Sequence, residues 1–287
     1  MPGPDLERLR ELRATRPGAV AEQAAARRRR PLPADGRMLL LAADHPARNA
    51  FAVGDDPMAM GDRGELLRRL VLALSRPGVV GVLGTPDVLE DLLLLGALDG
   101  KVVVGSMNRG GLAGSAFEVD DRFTGYDADG LAAARFDGGK MLTRIDLADP
   151  ATAGALEASA RAVTALARHG LMALVEPFLS RRVDGRLRND LSAEAVVRAA
   201  GIAAALGGTS AHTWLKLPVV DGMDEVAAAT TLPVLLLGGD PRSSPEQTSP
   251  HPLKSSSIVC RVLGSGNGFA ESLAPSTSSP SIGARGR

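Results

Sequence analysis

The sequence predicts an α/β protein of the (β/α)8 TIM-barrel class, without a recognisable eighth βα unit. Three observations lead there. Short apolar runs alternate strictly with helical stretches from residue 37 to residue 242. The runs are apolar throughout, as strands buried on both faces of a parallel sheet must be. Polar residues gather where the runs stop, the end at which such barrels hold their working groups. An open doubly wound sheet would share the alternation. Seven uninterrupted repeats favour the barrel, and the first strand-to-helix junction carries no GxGxxG for a dinucleotide.

The elements follow in order. Residues 1–36 read as an N-terminal helical arm, with an amphipathic stretch over 5–30 that ends in four arginines, Arg27 to Arg30, and is stopped by Pro31 and Pro33. The arginine run reads as a solvated helix end. Residues 37–242 form the barrel. Its first strand spans 37–43 and stops at Asp44-His45-Pro46; a helix follows over 65–74. The second strand, 79–83, stops at Gly84-Thr85, and the next helix spans 88–95. The third, 102–104, stops at Gly105-Ser-Met-Asn-Arg109, with a helix over 127–135. The fourth, 140–145, precedes a long Ala-rich helix, 150–169, which Gly170 stops. The fifth, 171–175, stops at Glu176-Pro177, and Arg181 and Arg182 fall in a solvated turn. Ser192 then caps a helix to 206, and Gly207-Gly208 ends it. The sixth strand, 213–217, carries Lys216. A short helix over 224–229 leads to the seventh strand, 232–237, which stops at Gly238-Gly239. Residues 243–287 are rich in Ser, Pro and Gly and read as a low-complexity, disordered tail in which only 257–263 has strand character. A barrel lacking its last unit is expected to leave two sheet edges unpaired.

Composition excludes several function classes. The formal net charge is zero and aromatic residues make up only 3%, so neither nucleic acid nor a membrane surface is an expected partner. No apolar stretch reaches the roughly 20 residues of a membrane span. The single cysteine, Cys260, excludes an intrachain disulfide framework and suits the reducing cytoplasm, the expected location. The four histidines lack metal-ligand spacing, so no metal is expected. His169 reads as a helix-end residue, and Trp214 as part of the barrel wall.

The chemistry centres on Lys216. Of 33 Lys and Arg residues only four are lysine, and this one lies inside an apolar strand. A buried lysine can lose its proton and become a nucleophilic amine, which arginine cannot. Position alone leaves a second reading open, a lysine snorkelling from a strand end to water. Strand parity narrows the choice. Asp44 shares a face with Leu40, Lys140 with Arg144, Glu176 with Leu174, and Lys216 with Trp214. If these are the lumen faces, Asp44, Lys140, Glu176 and Lys216 enter one cavity. Such a tetrad is either structural or catalytic. A purely structural one is costly in desolvation, which favours catalysis.

At these residues the chain resembles class I, Schiff-base aldolases of the LacD and DeoC/fructose-bisphosphate aldolase group, over about residues 37–242. The resemblance is carried by Leu-Ala-Ala-Asp44-His-Pro, Gly-Gly-Lys140-Met-Leu-Thr-Arg-Ile-Asp146, Leu-Val-Glu176-Pro, Leu-Lys216-Leu-Pro and Val-Leu-Leu-Leu-Gly-Gly239. The 40 residues from Glu176 to Lys216 suit that group. Within it the chain is similar to an actinobacterial family labelled Cgl0159-like, often called deoxyribose-phosphate aldolase and found with inositol-catabolism genes. The resemblance implies cleavage of a (deoxy) keto-sugar phosphate with no cofactor. Lys216 would form the Schiff base, Glu176 would move protons, Lys140 would stabilise anionic oxygens, and Asp44 would orient a hydroxyl. Gly238 and Gly239 would hold a phosphate, with Arg109 or Arg144 as charge partners. Self-association into a homo-oligomer is left open. Two rivals stand beside this reading: a non-catalytic metabolite-binding remnant, and a sugar-phosphate isomerase using Glu176 as base.

Overall fold

The computed structural model describes residues 4–33, 38–237 and 258–263, the last as backbone only. Seven parallel strands form the wall: β1 Leu39–Ala43, β2 Val79–Gly84, β3 Val102–Ser106, β4 Gly138–Ile145, β5 Met172–Val183, β7 Thr213–Pro218 and β8 Val234–Leu237. Between them run α3 Arg63–Leu74, α4 Pro86–Leu94, α5 Ala128–Ala133, α6 Ala151–Arg168, α7 Ala193–Ala204 and α8 Met223–Ala228. Side-chain caps start several of these helices. Asp62, Asp127 and Ser192 each accept a backbone N–H three residues on, satisfying a donor that the first turn leaves orphaned.

The expected open edges are not there. A further strand, β9 Ile258–Leu263, lies between β1 and β8 and pairs antiparallel with both. With β4 paired to β5, the sheet closes into a ring of eight. The eighth stave is thus no repeat of the βα unit, but it removes both edges that seven parallel strands would leave to solvent. The rest of the tail expected over 243–287 lies outside the described residues.

Two more expectations need correction. The fifth strand does not stop at Glu176-Pro177; β5 runs on to Val183, turns at Asp184-Gly185 and pairs antiparallel with β6 Arg186–Asn189. Arg181 and Arg182 are therefore exposed hairpin residues rather than turn residues. The residue at the tip, Asp184, has φ 50° and is followed by Gly185 at φ 74°. Both are left-handed, which Asp tolerates and Gly prefers.

The arginine run is not a solvated helix end. The arm is two helices, α1 Leu6–Thr15 and α2 Ala19–Ala26, broken at Pro17-Gly18. Arg27, directly after α2, is buried. It donates to the carbonyls of Lys101 (2.8 Å) and Arg135, lies 3.7 Å from Asp137 Oδ2 and stacks 5.8 Å from the Phe136 ring centre. Arg28 pairs with Asp99 and Arg29 with Asp137. The run fastens the arm onto the loops leading into β3 and β4.

Two apolar layers follow from strand parity. Outward residues such as Leu41, Val82, Val103, Met141, Val175 and Leu215 pack under the helices. Inward residues, among them Met38, Leu40, Val102, Val104, Met172, Leu174 and Leu235, fill the floor of the lumen together with Trp214. Above this floor, toward the C-terminal ends of the strands, the lumen turns polar.

Candidate active site

Each polar lumen residue but Lys140 sits two positions beyond an apolar one on the same strand face. Asp44 follows Ala42 of β1, Ser106 follows Val104 of β3, Lys140 opens the face of β4, Glu176 follows Leu174 of β5, and Lys216 follows Trp214 of β7. The strands are close-packed on both sides, so these groups have little freedom to avoid one another.

They form a connected chain. Lys140 Nζ lies 2.8 Å from Asp44 Oδ2 and 2.8 Å from Glu176 Oε2. Lys216 Nζ donates to Glu176 Oε1 at 3.0 Å. Ser106 Oγ donates to Asp44 Oδ2 at 3.0 Å. All four ionisable side chains are at most 6% exposed. The structure therefore brings Asp44, Lys140, Glu176 and Lys216 together, the juxtaposition that parity implies. The contact from Lys140 to Glu176 Oε2 is an ion pair without hydrogen-bond alignment, and that oxygen has no hydrogen-bond donor among the described residues. Glu176 thus faces Lys216 with one oxygen and Lys140 with the other.

Electrostatics follow from burial set against charge. Burial alone would raise the pKa of Asp44. The Lys140 charge, helped by His45 and Lys216, more than reverses this and holds the carboxyl well below its usual range. Glu176 behaves likewise: burial raises it, Lys140 and then Lys216 lower it, and the result is about 2. Both carboxylates are ionised at neutral pH. His45, next along the chain, is buried with Nδ1 3.9 Å from Asp44 Oδ1. Desolvation outweighs the attraction of Asp44 and lowers its pKa to about 4, so its ring is neutral beside the tetrad.

The remaining expected residues are placed differently. Arg144, on the lumen face of β4 beyond Lys140, pairs with Glu118 Oε1 at 2.8 Å. Arg109 is exposed, and its guanidinium donates to Thr124 Oγ1 (3.2 Å) and the Ala47 carbonyl (2.9 Å) rather than joining the tetrad. Gly238 and Gly239 lie outside the described residues. Asn108 is structural: it donates to the Leu142 carbonyl and accepts the Leu142 N–H, locking the loop after β3 to β4. No group of three or more His, Cys, Asp or Glu suited to a metal occurs among the described residues.

Sequence reasoning passed over two residues here. Ser106 was legible, since it shares the face of Val102 and Val104. Arg48 was not: it ends a single 3-10 turn, Pro46–Arg48, where no periodicity signals direction.

The chain is similar to known proteins in the following ways. The model of the Cgl0159-like family matches residues 36–264. The crystal structure of Cgl0159 from Corynebacterium glutamicum (Brevibacterium flavum) superposes with a TM-score of 0.82 at 52% identity, covering 85% of this chain and 82% of that one. A Schiff base-forming fructose-1,6-bisphosphate aldolase gives a TM-score of 0.50 at 19% identity over 77% of this chain and 81% of that one. An archaeal fructose-1,6-bisphosphate aldolase, with its catalytic Lys covalently bound to the carbinolamine intermediate, gives 0.50 at 19% over 77% and 80%. At such identities the likeness to the aldolases is one of fold. No curated protein sequence matches the chain. No helix among the described residues is long and apolar enough to cross a membrane. With the family model covering most of its length, the chain belongs to the Cgl0159-like family.

Proposed function

We propose that the protein is a class I aldolase that cleaves a (deoxy) keto-sugar phosphate through a Schiff base on Lys216. The observation that carries the reading is a lysine amine 3.0 Å from a buried carboxylate whose second oxygen faces a second lysine at 2.8 Å. Lys140 Nζ is held between two carboxylates, Asp44 and Glu176. In this reading Lys216, the other lysine on Glu176, passes its proton to that carboxylate and acts as the nucleophile. When it does, Glu176 loses one positive neighbour and becomes more basic, so the two events assist each other.

The steps balance as follows. The Lys216 amine adds to the substrate carbonyl, and a proton passes from its nitrogen to the carbonyl oxygen to give a carbinolamine. Glu176, holding the proton that Lys216 gave up beforehand, delivers it to the departing hydroxyl, and water leaves as the iminium forms. Glu176 then accepts the proton of the β-hydroxyl. The C–C bond breaks, its electron pair moves to the iminium to form an enamine, and an aldehyde is released. Protonation of the enamine carbon and addition of water return Lys216 and free the second product. Lys140 and Asp44, fixed by Ser106, orient the hydroxyls. A cytoplasmic location and a sugar-phosphate partner belong to the same proposal.

The test is borohydride-dependent inactivation. A panel of 2-deoxy sugar phosphates and ketose phosphates is offered to the full chain, with and without borohydride, and aldehyde release is followed. Release that borohydride abolishes irreversibly, and that Lys216→Ala lacks, supports the aldolase. Turnover that survives borohydride favours an isomerase with Glu176 as base.

A further inference from the structure

Two arginines stand at the C-terminal mouth of the barrel outside the tetrad: Arg144, which the resemblance offers as a charge partner for phosphate, and Arg48, to which nothing above gives a role. Arg144 lies four residues beyond Lys140 on the same lumen face of β4, about 13 Å further along the strand at the usual rise. Its side chain is 10% exposed. One nitrogen of its fork meets Glu118 at 2.8 Å, but its Nε is buried and finds no acceptor among the described residues. Arg48 comes four residues after Asp44, at the end of the turn that follows β1. Its Nε is likewise buried without an acceptor among the described residues. A buried donor left unsatisfied forfeits its hydrogen bond to water without replacement, so two at the barrel mouth call for an explanation.

The surroundings fix both side chains. The Arg48 carbonyl accepts the Ala113 N–H at 3.0 Å, and Asn49 Nδ2 donates to the Ala113 carbonyl at 3.2 Å. Arg109 holds the same turn through the Ala47 carbonyl. Across from it, Gly111 passes so close to Arg144 that a Cβ would lie 2.6 Å from Nη1, in a backbone with φ 75°. The loop is shaped around the guanidinium. Asp121 secures that loop by accepting the Gly110 N–H at 2.8 Å. Arg48 and Arg144 thus grip one loop, at Ala113 and at Gly111, with Glu118 and Asp121 as the carboxylates beside Arg144, and both lie on the side of the tetrad from which a substrate must enter. Two like charges held together, each with an N–H unspent, form a receptor for an anion with several oxygens.

We infer that Arg48 and Arg144 form an anion subsite at the barrel mouth that takes the phosphate or carboxylate at the substrate end remote from the carbonyl. The inference rests on the aldolase reading for what happens at the other end of the substrate; the anion site itself does not.

The experiment is a calorimetric titration of the full chain with inorganic phosphate and, separately, with malonate. It is run on the wild type and on Lys216→Ala, Arg48→Gln, Arg144→Gln and Arg181→Gln, the last an exposed hairpin arginine. Saturable binding to the wild type, to Lys216→Ala and to Arg181→Gln, weakened at least tenfold in Arg48→Gln and Arg144→Gln, is the expected result. Preference for phosphate or for malonate then names the anion. Arg48 is half-buried and carries the test if Arg144→Gln, which strands Glu118, fails to fold. Binding undiminished in Arg48→Gln, or no binding of either anion, overturns the subsite. Anion binding intact in a protein that forms no borohydride adduct sinks the aldolase reading instead, so the two failures are distinguishable.

Discussion

At the scale of single residues, the site is decided by where Lys140 stands. It is the cation shared by two buried carboxylates, so its removal harms more than one contact. Lys140→Met should cost about 3–5 kcal/mol of stability, because Asp44 and Glu176 keep their burial and lose their main counter-charge. Chemical denaturation measures the loss; a change under 1 kcal/mol would mean that the carboxylates are not charged at neutral pH. His45 makes a second prediction, in which the sign matters. Its folded pKa, about 4, lies below the unfolded value near 6.5. The unfolded chain therefore binds the proton more readily. Stability is full above pH 6.5 and falls as pH drops toward 4, by roughly 3 kcal/mol for this group. Glu176, near 2 against an ordinary 4.5, adds a further loss between pH 4.5 and 2. A His45→Gln chain should show a flatter stability curve between pH 6.5 and 4.5 than the wild type, measured by Tm across that range. Parity made Asp44, Lys140, Glu176 and Lys216 legible in the sequence, because period-2 alternation survives in strands of any composition. Arg48 had no such periodicity to betray it, and its partner Arg144 was legible only as a charge on the right face.

At the scale of elements, the strands and helices were readable and their extensions were not. Apolar runs bounded by Gly, Asp and Ser gave six of the seven parallel strands, and the helices between the strands, within a few residues. Pro177 reads as a strand stop, yet β5 continues through it to Val183 because the chain beyond the barrel rim pairs with its own return strand. The arginine run was misread for a related reason: a charge run usually marks solvent, and nothing local shows that Arg27 turns inward to two carbonyls. Its burial yields a third prediction. Arg27→Ala should lower stability by about 2–4 kcal/mol, seen as a shifted urea midpoint. Arg27→Lys should recover little, since an ammonium cannot fork to both carbonyls while stacking on Phe136. Full recovery by lysine would show that charge alone fastens the arm.

At the scale of the whole molecule, closure of the ring is what buries an amine and its carboxylate in the lumen. The sequence beyond residue 242 lost the βα pattern, so closure was not legible from periodicity. The structure achieves it with one antiparallel strand facing Leu40–Ala42 on one side and Val234–Leu236 on the other. Proline in such a strand removes a ladder donor. Cys260→Pro should therefore lower the Tm by on the order of 5 °C or more, and an unchanged Tm would mean that the ring does not depend on this stave.

The measurement that tests the central claim most directly is peptide mass mapping after borohydride reduction in the presence of a cleaved sugar phosphate. A reduced substrate-fragment adduct on the peptide carrying Lys216, with Lys140 unmodified, is the expected result. An adduct on Lys140, or turnover with no adduct on either lysine, would contradict it.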